Sequence, residues 1–179
     1  LDDTYFKTTE KEYLQTRPYV MHILVDNIDT LYRKYSDSKF ASVTSGIESI
    51  LEKWLENHNV VFKKTAEGRF LVIGEKRGLD ELCKEKFEVL NAVREYKYEN
   101  IEMGATLSIG VGTGEDVLEC ENQAKRSLEL ALGRGGDQCV VFQNDDYTFF
   151  GARANLDNAT SKVSPRQTSA NILSEIKKH

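Results

Sequence analysis

Short β-type apolar runs alternate along this chain with longer stretches of helical spacing, in an order few folds accommodate. Residues 19–26 (YVMHILVD) form the first run, too short for a buried helix. Val43, Ile47, Ile50, Leu51, Trp54 and Leu55 then recur at helical spacing, and residues 57–59 (NHN) stop that helix. Two further runs, 60–64 and 69–74, flank a short link through Ala66, Glu67 and Gly68, which predicts a β-hairpin with Gly68 in the turn. A second helix carries Leu79, Leu82, Cys83, Phe87, Leu90 and Val93 on one face. Residues 105–111 (ATLSIGV) return to strand character. A third helix uses Val117, Cys120, Ala124, Leu128 and Ala131, with Gly133 placed to end it. Residues 139–142 and 147–150 are two closing strands.

The first six elements, with the hairpin counted as two, spell βαββαβ. That order predicts an α+β fold with a ferredoxin-like core, helices on one face of an antiparallel sheet, extended by an extra helix and closing strands. The two prolines, Pro18 and Pro165, nearly bracket the periodic part. The reading is therefore a polar connecting helix within 1–17, a domain over 18–150, and a linker over 151–179. That linker carries a short helix at 167–178 with Ile172 and Ile176 on one face.

Composition narrows the function classes. The chain has 179 residues, 40% hydrophobic and 30% charged, as one globular domain would. With 24 basic against 29 acidic residues the net charge is −5, which argues against a nucleic-acid binder. Cys83, Cys120 and Cys139 are odd in number and form no CxxC pair, so a zinc ribbon is not indicated and a reducing compartment is expected. No apolar run approaches the ~20 residues of a membrane span. The chain begins at Leu1 without a signal peptide, so it reads as an internal piece of a longer protein.

Two-metal phosphoryl chemistry on this architecture needs carboxylates at the end of the first strand and near the central hairpin. Asp26, with Asp29 three residues later, and Glu67 are the candidates here. Against this stands the plainer reading that Asp26 opens a strand-to-helix turn and Glu67 is a solvated hairpin residue. The run Gly110, Gly112, Gly114 (IGVGTG) lacks GxGxxG spacing and marks a strand that another backbone approaches closely. Residues 133–137 (GRGGD) end a helix. His22, His58 and His179 lack metal-ligand spacing, and neither Ser108 nor Cys83 sits in a nucleophile motif. Lys63, Lys64, Lys125 and Arg134 read as solvated charges.

Together these features resemble a GGDEF (diguanylate cyclase) domain. Residues 105–112 (ATLSIGVG) resemble that family's TxSIGVA strand, and 124–138 resemble its closing helix and GRN turn. The signature falls on Ala66, Glu67, Gly68, Arg69 and Phe70, of which Phe70 alone keeps its identity. The first metal-ligand position falls on Leu24, the second on Asp26, and the signature's acidic position on Gly68 or Arg69. Tyr32 stands at the guanine-side Asn, Leu132 at a phosphate-binding Lys, and Asn57 and Val60 at the RxxD inhibition site. Gly135-Gly136-Asp137 spells the signature's opening but lies in the closing turn. The resemblance implies a domain that makes no cyclic-di-GMP.

A narrower resemblance covers nearly the whole chain. Residues 127–138 (SLELALGRGGDQ) are similar to the SLDLALGRGGDQ block of GdpP (YybT-like) phosphodiesterases, as are 17–20 (RPYV), 25–27 (VDN) and Arg69-Phe70. Phe149-Phe150-Gly151, with Val163 and Arg166, resemble that family's bridge into a DHH/DHHA1 domain. The resemblance implies a parent anchored by two transmembrane helices at the cytoplasmic face of a bacterial membrane. Its parts are a PAS domain, a degenerate GGDEF domain and a Mn²⁺-dependent DHH/DHHA1 domain that hydrolyses cyclic-di-AMP. This chain, without a DHH triplet, corresponds to the regulatory GGDEF module, with neighbouring PAS and DHH/DHHA1 domains and a second copy as partners. The residues carried over for nucleotide binding are Asp26, Glu67, Gly68 and Arg69, with Asp26 the metal ligand. The alternatives are a weak ATPase using Mg²⁺ or Mn²⁺, and a GTP- or ATP-binding sensor without turnover.

Overall fold

The computed structural model describes residues 3–151; the expected bridge and helix at 152–179 lie outside the described residues. In chain order the elements are α1 (Asp3–Thr16), β1 (Pro18–Val25), α2 (Ile28–Lys34), α3 (Asp37–Leu55), β2 (Val61–Ala66), β3 (Arg69–Glu75), α4 (Lys76–Lys84) and α5 (Val89–Arg94). There follow β4 (Lys97–Tyr98), β5 (Ile101–Glu102), β6 (Leu107–Thr113), α6 (Val117–Gly133), β7 (Gln138–Gln143) and β8 (Asp146–Phe150).

The main sheet has the order β2-β3-β1-β6-β7-β8. Central β1 pairs antiparallel with both β3 and β6, and β2 closes the hairpin with β3. Those four strands with α3, α4 and α5 form the expected ferredoxin-like βαββαβ unit. Alternation along β1 explains the placement: Tyr19, Met21, Ile23 and Val25 enter a core shared with Val43, Ile47 and Leu51 of α3 and Leu79 and Leu82 of α4. Phe87 is buried in the same core, its ring 6.0 Å from Trp54 and 5.1 Å from Phe150, and so joins α3 to the last strand.

The third helix departs from the one-face plan. β6 and β7 pair in parallel, and α6, their crossover, lies on the opposite face, where Val20, Cys120 and Ala124 form a second small core. Gly110 and Gly112 make this possible. A Cβ on Gly110 would stand 2.3 Å from the Leu128 nitrogen, and one on Gly112 2.2 Å from the Cys120 carbonyl. Ser127 Oγ then donates to the Val111 carbonyl at 2.9 Å, fixing helix against strand.

Other differences have local causes. The expected second helix is two, because Lys86 and Phe87 adopt φ of 55° and 54° between α4 and α5. A short helix, α2, precedes α3, and Glu99 and Asn100, at φ of 51° and 63°, turn a small β4–β5 hairpin that the apolar pattern does not show. Among the described residues no helix is long and apolar enough to cross a membrane.

Candidate functional site

The site expected from the carboxylates lies at the end of β1. There the Val25 N–H donates to the Gly68 carbonyl at 2.8 Å, and the Asp26 N–H to the Thr106 carbonyl at 3.0 Å. The chain end of β1 is thus pinned between the β2–β3 turn and the residue leading into β6. Asn27 adds to this: its Nδ2 donates to the Gly104 carbonyl at 2.7 Å.

The Asp26 carboxylate does not point into open space. Its Oδ1 accepts from Ser108 Oγ at 2.5 Å, and its Oδ2 accepts from Thr106 Oγ1 at 2.8 Å and from the Asp137 N–H at 3.1 Å. A carboxylate offers about four acceptor positions, and three are filled from two other parts of the chain. The third donor reaches it because Gly135, Gly136 and Asp137 all take positive φ, at 102°, 74° and 55°. Gly136 passes so close that a Cβ there would lie 3.1 Å from the Asp26 carboxylate.

The hairpin supplies no matching group. Gly68 takes φ of 68° and packs against Ile28, which explains why the turn keeps glycine. Glu67 faces Lys64, whose Nζ lies 3.2 Å from Glu67 and 3.4 Å from Glu48 of α3. Burial works against the Lys64 charge, but the two carboxylates outweigh it and hold its pKa above the ordinary value. Ala66 ends β2 beside a bulge, and Phe70 is a core residue stacked on Phe62 at 5.4 Å. Arg69 is exposed and pairs in register with Leu24.

Asp26 and Glu67 thus answer to different partners. Asp26 serves β6 and the α6–β7 loop, and Glu67 serves Lys64. Among the described residues no group of three or more His, Cys, Asp or Glu side chains could hold a metal ion. With Leu24 and a cationic Arg69 opposite one another, the residues present do not fit a two-metal site.

Sequence reasoning weighed Ser108 only as a nucleophile and missed Thr106 and Arg94. Arg94 Nε bonds both Asp137 carboxylate oxygens at 2.7 Å. The GRGGD stretch, read as a helix end, does end α6, and it also presents Asp137 to two partners. Tyr32 is 58% exposed, its ring edge-on to Phe40 at 5.2 Å.

Residues 23–149 match the family described as "Cyclic-di-AMP phosphodiesterase GdpP-like, GGDEF domain". The chain belongs to this family of GdpP-type GGDEF domains. Among curated relatives it is 34% identical over 169 residues to the cyclic-di-AMP phosphodiesterase GdpP of Bacillus subtilis (strain 168), covering 93% of this chain and 25% of that protein. It is 31% identical over 168 residues to the cyclic-di-AMP phosphodiesterase PdeA of Listeria monocytogenes, covering 92% and 25%. The chain thus spans about a quarter of the length of these relatives. Its fold is that of the active GGEEF domain of a Vibrio cholerae diguanylate cyclase (TM-score 0.62, 14% identity, covering 76% of this chain and 90% of that one). It also matches the GGDEF domain of FimX from Pseudomonas aeruginosa (TM-score 0.57, 15% identity, covering 74% and 89%).

Proposed function

We propose that this GGDEF domain is a regulatory module of a cyclic-di-AMP phosphodiesterase and does not itself synthesise cyclic-di-GMP. One observation carries the reading: Asp26 is engaged by Ser108, Thr106 and the Asp137 N–H, while Leu24 and Arg69 face each other across β1 and β3. A divalent cation would meet a methyl-bearing side chain and a guanidinium where a cyclase needs carboxylates. The Glu67–Lys64–Glu48 ion pairs further fill the hairpin's charge requirement from within.

Two relatives are cyclic-di-AMP phosphodiesterases, and the family resemblance supplies the rest of the setting. In this reading the domain lies between a PAS domain and a Mn²⁺-dependent DHH/DHHA1 domain of a membrane-anchored protein, at the cytoplasmic face. It couples the first to the second through contacts with its neighbours and with a second copy.

The test has two arms. Incubation of the domain with GTP and Mg²⁺ or Mn²⁺ is expected to yield no cyclic-di-GMP; its appearance would overturn the non-cyclase part. Removing residues 18–150 from the parent phosphodiesterase is expected to change the rate of cyclic-di-AMP hydrolysis, and an unchanged rate would overturn the regulatory part. Titration calorimetry with ATP and Mn²⁺ on the native domain and Asp26→Ala separates the weak-ATPase alternative. Binding and turnover lost in a variant that still shows the native circular dichroism would make Asp26 a ligand as well as an anchor.

A further inference from the structure

We propose that Arg94 is a latch on the chain's exit from the domain, and that Asp26 sets it. The inference rests on the regulatory reading above and names a route by which the vestigial nucleotide site and the exit segment communicate.

Arg94 distributes its donors over three segments. Its Nε bonds both carboxylate oxygens of Asp137 at 2.7 Å, its Nη2 bonds the Asp137 carbonyl at 3.0 Å and the Gly151 carbonyl at 2.7 Å, and its Nη1 bonds Asn91 Oδ1 at 2.6 Å. The side chain is 16% exposed and Asp137's is 25% exposed, so the charge-assisted bonds are partly shielded from water. Gly151 follows directly on β8. It takes φ of 75°, and a Cβ there would stand 2.3 Å from Leu90 Cδ1. The exit thus passes tightly over α5 and is held there by one guanidinium.

The latch depends on a residue held from both sides. Asp137 has φ of 55°, in the left-handed region that Gly, Asn and Asp tolerate best. Its N–H is fixed by Asp26 and its carboxylate by Arg94. If Asp26 lets go, the loop loses its tether and the carboxylate that aligns Arg94 leaves its place. If Gly151 is pulled, Arg94 shifts and the displacement passes to Asp137 and Asp26. Such coupling is reciprocal.

The exit is also the element such a latch can control. β8 is an edge strand paired with β7 alone, and each of its residues is only half-buried. Elements of this kind open before the body of a domain does. The central position of β1 makes the other end of the route rigid, so movement is concentrated at the exit.

Amide hydrogen exchange on the whole chain tests this, read at residues 146–150 with residues 61–66 of β2 as the internal control. Asp26→Asn and Arg94→Lys are each expected to speed exchange in β8 by about tenfold or more, with β2 unchanged. The double variant is expected to be no faster than the faster single one, as for two parts of one route. Thr106→Val removes one Asp26 donor more gently and is expected to give the same pattern at smaller amplitude. It supplies the answer should Asp26→Asn unfold the chain. Acceleration by Arg94→Lys alone, with β8 untouched by Asp26→Asn and Thr106→Val, would overturn the proposal; so would multiplicative effects in the double variant. No cyclic-di-AMP enters this experiment, so the latch fails or stands independently of the hydrolysis test.

Discussion

Ser108 Oγ lies 2.5 Å from Asp26 Oδ1, and this bond makes the Asp26 carboxylate a structural part. Ser108 is fully buried, and Thr106 and the Asp137 N–H converge on the same carboxylate. Asp26→Ala leaves all three donors without their acceptor, and each buried orphan costs ~1–3 kcal/mol before relaxation. The expected loss is about 2–4 kcal/mol in urea unfolding. Glu67→Ala removes only a largely exposed ion pair and is expected to cost less than ~1 kcal/mol. A larger loss for Glu67→Ala than for Asp26→Ala would show that Asp26 is not the anchor.

The contact between α6 and β6 predicts a sharp contrast among glycines. Alanine at Gly110 or Gly112 places a Cβ 2.2–2.3 Å from helix backbone that has no flexible tip to move aside. Each substitution is expected to destabilise the domain by ~3 kcal/mol or more, because the helix must lift from the sheet. Gly133, near the end of the same helix, has nothing within 4 Å of the corresponding position. Gly133→Ala is expected to be neutral or stabilising by up to ~1 kcal/mol. Thermal unfolding of the three variants checks this, and equal losses at all three positions would contradict the packing.

His22 gives the fold an acid-sensitive element on the α6 face. Burial lowers its pKa; Glu121 pulls it back up, while Lys125 and Arg69 push it further down. The unfolded chain therefore takes up a proton that the folded chain resists. Stability contributed by neutral His22 is present above the ordinary imidazole value of ~6.5 and is lost as pH falls through it toward the lowered folded value. Glu121, held below its ordinary range by the Lys125 hydrogen bond, keeps its charge through that window. Urea midpoints between pH 7.5 and 5 are expected to decline in the native chain and to decline less in His22→Gln. Identical slopes would remove His22 as the cause.

What was legible from residue order follows from how far each signal reaches. The short apolar run 19–26 and the glycines of IGVG are local, so β1, β6 and the close approach of a backbone were readable directly. The face taken by α6 was not, because it depends on which neighbour fills the space over Gly110 and Gly112. Phe87 continues the apolar spacing of the second helix, which conceals the left-handed break at Lys86 and Phe87. Asp26 was readable as a candidate, but its partners lie 80 to 111 positions away with no periodic mark. Arg94 looks like any helix-end charge until the chain returns at Gly151.

The three free cysteines are expected to be inert in the folded chain, in an order set by burial. Burial, with Asp80 adding to it, pushes the half-buried Cys83 thiol up to about 11. Cys120 is pushed up to about 11 by burial and by Glu119 and Asp116, and its Sγ donates to the Pro18 carbonyl at 3.3 Å. Cys139 is completely buried in the main core, and burial raises its thiol well above the ordinary value. Since the thiolate is the reactive form, a pKa near 11 instead of ~8.5 lowers its population at pH 8 by roughly two orders of magnitude. Mixing with an aromatic disulfide reagent at pH 8 is expected to label the native chain at least ~100-fold more slowly than the chain in denaturant. Cys83 should react first and Cys139 last, since reaching Cys139 requires opening β7 from its neighbours β6 and β8. Rapid native labelling of Cys139 would show that the last strands open far more readily than their packing on Phe87 and Arg94 allows.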